Sequence, residues 1–141
     1  MRHTFMMQKI FVNADGGARG NPGPAAVGIV IYDEQKNLVE CYKAYIGETT
    51  NNVAEYMALI KALQLAANHT RDEVHVFMDS ELVIKQMKGH YRVKASHLLA
   101  FFEEAKKCER IFRKVVYTNV SRNTAFQVAA DQLVNDALDE T

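Results

Sequence analysis

Three short apolar runs rich in β-branched residues open the chain, and helical and strand patterns alternate after them. Residues 8–14 (QKIFVNA), 25–32 and 38–46 read as strands, with the polar turn DEQKN joining the last two. That spacing predicts an antiparallel meander. From Asn52 to Ala67 the period changes: Tyr56, Leu59, Ile60 and Leu63 fall on one helical face. A buried-type strand is expected over 74–78, a short helix over 80–87 ended by Gly89, and a helix over 95–108. A strand over 115–119 and a helix over 125–138 complete the chain. Three strands followed by alternation permit few arrangements, and the expected one is α/β: one mixed sheet with helices against its faces. At 141 residues without linker or repeat, a single domain, 1–141, is expected.

Four acidic residues stand at the ends of these elements or on their apolar sides. Asp15 follows KIFVNA and opens the glycine-rich stretch DGGARGNPG, expected as a loop from Asp15 to Pro24. Glu55 lies in TTNNVAEY, Asp79 follows VHVFM, and Asp131 shares a stripe with Val134 and Leu138. Carboxylates delivered this way make an all-oxygen pocket for hard divalent cations such as Mg²⁺. Paired ions in such pockets recur in phosphodiester cleavage. Each acid also has a plainer reading. Asn52 and Glu55 fit a capping box, and Asp79 fits a helix N-cap. Asp131, pointing toward an apolar side, requires a cation or a basic partner. The glycines Gly16, Gly17, Gly20 and Gly23 trace no G-x-G-x-x-G, and no GK[ST] follows, so dinucleotide and P-loop readings both fail.

Formal net charge is zero, yet charge is unevenly spread. Between Lys85 and Lys114 nine Lys/Arg face three acids, so this segment carries +6 and the remainder −6. A basic flank beside an acidic centre suits a polyanionic substrate, although a solvated helix face has the same composition. Cys41 and Cys108 stand 67 positions apart, without metal-ligand spacing, and read as free thiols of a reducing compartment. No apolar stretch reaches membrane-spanning length, and a cytoplasmic location is expected.

DGGARGNPGPA, TTNNVAEYMALIKAL, VFMDSELVIKQMKGHYRVK and the Ala130-Asp131 pair, in that order, resemble the type 1 ribonuclease H family in its compact form without a basic protrusion. The resemblance runs from about residue 8 to 138. It implies a five-stranded mixed sheet, the first three strands antiparallel, with helices on both sides. It also implies a catalytic metal site of Asp15, Glu55, Asp79 and Asp131, holding two Mg²⁺ (or Mn²⁺) ions. The implied reaction is endonucleolytic hydrolysis of the RNA strand of an RNA/DNA hybrid, leaving 5′-phosphate and 3′-hydroxyl ends. Substrate contacts carry over to Gly17, Arg19, Gly20 and Asn52 on the RNA side, and to Asn21, Thr50 and Asn51 on the partner strand. Tyr91, Arg92 and Lys94 resemble backbone contacts. Glu81 stands where several relatives have glutamine and is not counted. One departure is plain: the stretch YTNVSRNTAFQVAAD lacks the histidine that family members commonly place before the final helix. The alternative is therefore a weakly active or non-catalytic nucleic-acid-binding protein of the same fold.

Overall fold

The computed structural model describes residues 7–141. Five strands form one sheet: β1 (Lys9–Ala18), β2 (Gly23–Tyr32), β3 (Leu38–Thr49), β4 (Glu73–Met78) and β5 (Lys114–Asn119). Their order is β3-β2-β1-β4-β5, with β1, β2 and β3 antiparallel and β4 and β5 parallel to β1. The helices are α1 (Asn51–Ala66), α2 (Glu81–Met87), α3 (Ser96–Glu109) and α4 (Ala125–Asp139). No helix among the described residues is long and apolar enough to cross a membrane.

β2 explains the layering. Val27, Ile29 and Ile31 join the main core with α1, α2 and α3, while Ala26, Val30 and Tyr32 face α4. A strand covered on both faces loses polar alternation and becomes a continuous apolar run, as GPAAVGIVIY shows. Two glycines let the layers close. A Cβ on Gly16 would lie 2.1 Å from the Ala54 carbonyl oxygen on the α1 side, and one on Gly28 would lie 2.2 Å from that of Ala130 on the α4 side.

The expected loop after Asp15 is largely absent. β1 continues through Asp15, Gly16 and Gly17 to Ala18, paired in register with residues 25–28 of β2. The turn is confined to the residues between, closed by Arg19 N–H donating to the Pro24 carbonyl at 2.8 Å, with Gly20 at φ +98°. Glycine ordinarily weakens a strand. Here the pairing to β2 and the close approach of α1 outweigh that preference.

Candidate active site

The parallel pairing of β1 with β4 ends at Asn13↔Phe77, so Asp15, still within β1, and Asp79, just past the end of β4, both stand beyond the last parallel pair of two neighbouring strands. This is where ligands bind in open α/β sheets. Glu55 arrives from the second turn of α1 and Asp131 from the middle of α4. All four line one pocket together with Gly16, Gly17, Ala18, Arg19, Asn51, Arg122 and Asn135.

The plainer readings of the acids do not survive. Thr50 caps α1, its hydroxyl accepting from Val53 N–H at 3.3 Å, so Glu55 is not the third residue of a capping box. Ser80 caps α2 and accepts from Val83 N–H at 3.3 Å, so Asp79 is no N-cap. The expectation that Asp131 sinks into an apolar side is also corrected. It is exposed at the pocket's mouth, and its stripe-mates Val134 and Leu138 line the same pocket.

Electrostatics marks the four as a set. Asp15 is only 7% exposed. Burial pushes its carboxyl up to about 8, reinforced by the charge of Asp79, by a hydrogen bond and charge from Asp131, and by the charge of Glu55. Burial likewise raises Glu55 to about 7, against a hydrogen bond from Ser80 that favours the carboxylate. Asp79 is raised chiefly by burial and by Asp131, with Arg122 opposing. Carboxylates that resist ionising together are a proper donor set for a divalent cation, whose charge cancels the repulsion. All their donor atoms are oxygens, which fits Mg²⁺ or Mn²⁺. The side chains ring the pocket without closing on one point: among the described residues, no three His, Cys, Asp or Glu form a finished metal cage.

Of the expected substrate residues, Gly17, Arg19 and Asn51 line the pocket. Gly20, Asn21, Thr50 and Asn52 do not; they sit on the adjoining turn and helix start. There Asn21 Oδ1 accepts from Asn51 N–H at 3.0 Å, and Asn51 Oδ1 accepts from Ala18 N–H at 2.8 Å, tying the β1–β2 turn to α1. Arg19 is held to α4 by Asp139 at 2.7 Å. Tyr91, Arg92 and Lys94 are exposed in the α2–α3 connection and lie outside the pocket lining.

Sequence reasoning missed three contributors. Arg122 lines the pocket from the β5–α4 loop, in the stretch that lacks histidine. Asn135 donates to the Asp131 carbonyl at 3.1 Å and to its carboxylate at 3.4 Å; a polar residue four positions after the acid was the available signal. Gln127, fully buried, accepts from Asn13 at 3.0 Å and donates to the Ala14 carbonyl at 3.1 Å. A glutamine inside the apolar stretch AFQVAA was its only trace.

Residues 13–137 match a protein-family profile described as reverse transcriptase-like. A bifunctional protein of Mycobacterium tuberculosis is 44% identical over 133 residues, which cover 93% of this chain and 36% of that protein. Ribonuclease HI of Halobacterium salinarum is 40% identical over 136 residues, 89% of this chain and 62% of the relative. The chain thus spans little more than a third of the mycobacterial protein and under two thirds of the halobacterial one. Among solved structures, RNase H1 from Halobacterium salinarum superposes with a TM-score of 0.89 at 38% identity, covering 94% of this chain and 99% of that one. The N-terminal RNase H domain of the Mycobacterium tuberculosis protein, fused to maltose binding protein, gives 0.87 at 42%, covering 93% and 99%. LC11-RNase H1 in complex with an RNA/DNA hybrid gives 0.86 at 44%, covering 93% and 97%.

Proposed function

Because the chain belongs to the type 1 ribonuclease H family, we propose that it hydrolyses the RNA strand of RNA/DNA hybrids endonucleolytically, leaving 5′-phosphate and 3′-hydroxyl ends. The observation that carries this reading is the convergence of Asp15, Glu55, Asp79 and Asp131, each from a different element, on one pocket that also includes Gly17, Arg19 and Asn51. A relative of the same fold is known in complex with such a hybrid.

In this reading the four carboxylates would hold two Mg²⁺ or Mn²⁺ ions. When bound, these ions supply positive charge at the scissile phosphate and activate the attacking water. The chain's own contribution is orientation. Asp15, buried within a paired strand, would be held most firmly toward an ion bound there. The hairpin turn and the start of α1, locked together through Asn21 and Asn51, present one edge against which a ribose and its 2′-hydroxyl can be read. Arg122 supplies a cation beside Asp79, where a phosphate product must leave. The free thiols Cys41 and Cys108 fit the expected cytoplasmic setting.

A second reading, hybrid binding with weak or no turnover, draws support from the absence of histidine in residues 119–124. Incubation of end-labelled hybrid, duplex DNA and duplex RNA with the protein in Mg²⁺ or Mn²⁺ separates the two. Cleavage of the hybrid's RNA alone supports the first reading. Retention of intact hybrid in a stable complex supports the second.

A further inference from the structure

β5 is the last strand of the sheet, and among the described residues no strand pairs along its outer side. An open edge presents unpaired backbone N–H and C=O groups to any extended chain that reaches it. Proteins usually blunt such edges by covering them. Here a groove of about 820 Å³ runs beside the strand instead, walled by the ends of α2 and α3. Its floor is apolar, built from Phe112 and Val115 on the helix side, while Val116 lines it from the opposite face of the strand. Its rim is basic: Lys88 and Arg110 on the helix ends and Lys114 at the start of β5 are exposed. Among the described residues these three form no ion pair, whereas the neighbouring Arg113 is held by Asp72 and Glu73. Glu109 is the one acid in the lining, and it is engaged by the Tyr117 hydroxyl and by Lys106.

We propose that this groove takes an acidic, extended peptide segment of a partner protein, which adds a strand to the outer edge of β5. The three features call for the same ligand. Backbone of another chain satisfies both donors and acceptors of the edge, alternate apolar side chains fill the floor, and alternate carboxylates meet the rim. A nucleic-acid strand meets the rim alone. Its phosphates accept from N–H groups but are repelled by the edge carbonyls, and its hydrated backbone gains nothing from Phe112 or Val115. The groove follows β5 from Lys114 to Thr118 on the outer edge of the sheet, and no residue lines both it and the carboxylate pocket, so a peptide can lie there while the pocket remains open.

The test is a titration of the ¹⁵N-labelled full chain, at fixed ionic strength, with a capped peptide alternating glutamate and valine. The expected result is amide shifts concentrated over residues 112–118. Affinity should fall about tenfold in the Arg110→Glu/Lys114→Glu variant and about tenfold when alternate peptide nitrogens are methylated, which removes strand pairing but keeps charge. A saturating RNA/DNA hybrid should leave the peptide in place. If the double variant does not fold, Lys88→Glu on the facing wall serves the same purpose. Three results overturn the proposal: no shifts along β5, equal binding of the N-methylated peptide, or displacement of the peptide by the hybrid, which would make the groove a nucleic-acid face.

Discussion

Asn13 and Gln127 are joined by a buried hydrogen bond of 3.0 Å between β1 and α4. Asn13 lies two residues before Asp15 on the same face of its strand, and Gln127 lies one helical turn before Asp131. The bond therefore fixes the register of α4 one step below the carboxylate pair that needs it. Tyr32 strengthens the link, its hydroxyl donating to Asn13 Oδ1 at 2.6 Å. Replacing Gln127 with leucine leaves the Asn13 amide and the Ala14 carbonyl without partners and should cost about 1–3 kcal/mol of stability. Denaturant unfolding checks that figure. At a temperature where the variant is folded, kcat should fall more than KM rises, because Asp131 is displaced while the hairpin and α1 remain intact.

Gly28 faces Asp15 directly across the β1–β2 ladder. Its missing side chain admits the α4 backbone, which a Cβ would meet at 2.2 Å. Gly28→Ala must lift α4 from the sheet, a loss of about 1–3 kcal/mol by the usual cost of overpacking. Cleavage should fall with it. Thermal unfolding and a hybrid cleavage assay on the same preparation measure both.

Much of this architecture was legible in the sequence for local reasons. The meander, α1 and the alternation after it follow apolar periodicity, and β2 announces its two-sided burial by lacking polar positions. The features that escaped are those decided by distant neighbours. DGGA reads as loop chemistry, yet residues 25–28 hold it as strand. Asp131 shares its stripe with Val134 and Leu138, but that stripe leans over a pocket, so the acid is exposed. Asn13 and Gln127 are 114 residues apart, and neither looks unusual until the other is beside it.

Metal removal gives a prediction with a definite sign. In the metal-free protein Asp15 and Glu55 are raised to about 8 and about 7, both above their unfolded values near 4. The folded state then binds more protons than the unfolded chain between about pH 4 and pH 8. Stability from these groups is full below that window and is lost as pH climbs through it. Unfolding in EDTA should show this decline, and Asp15→Asn should reduce it while raising the melting temperature at neutral pH. Added Mg²⁺ should restore stability to the native protein, by about 2.7 kcal/mol at a hundredfold excess over Kd.

Arg122 is the cation that the β5–α4 loop brings into the pocket beside Asp79. Arg122→Ala should lower multiple-turnover cleavage about tenfold or more, as loss of a charge-stabilising donor does. Arg122→Lys should retain part of the rate. The single-turnover rate should fall less than the multiple-turnover rate if the guanidinium acts on product departure. An equal fall in both assigns it to the chemical step.

Asp15 is the buried member of the quartet. The decisive measurement is single-turnover cleavage of a labelled RNA/DNA hybrid in Mg²⁺ by the native chain and by Asp15→Asn, with hybrid affinity measured alongside. The native chain should cut the RNA strand, leaving 5′-phosphate ends. The variant should bind the hybrid with little change and leave it uncut. Cleavage by Asp15→Asn at the native rate, in a preparation free of other nucleases, would contradict the assignment of this pocket as the catalytic metal centre.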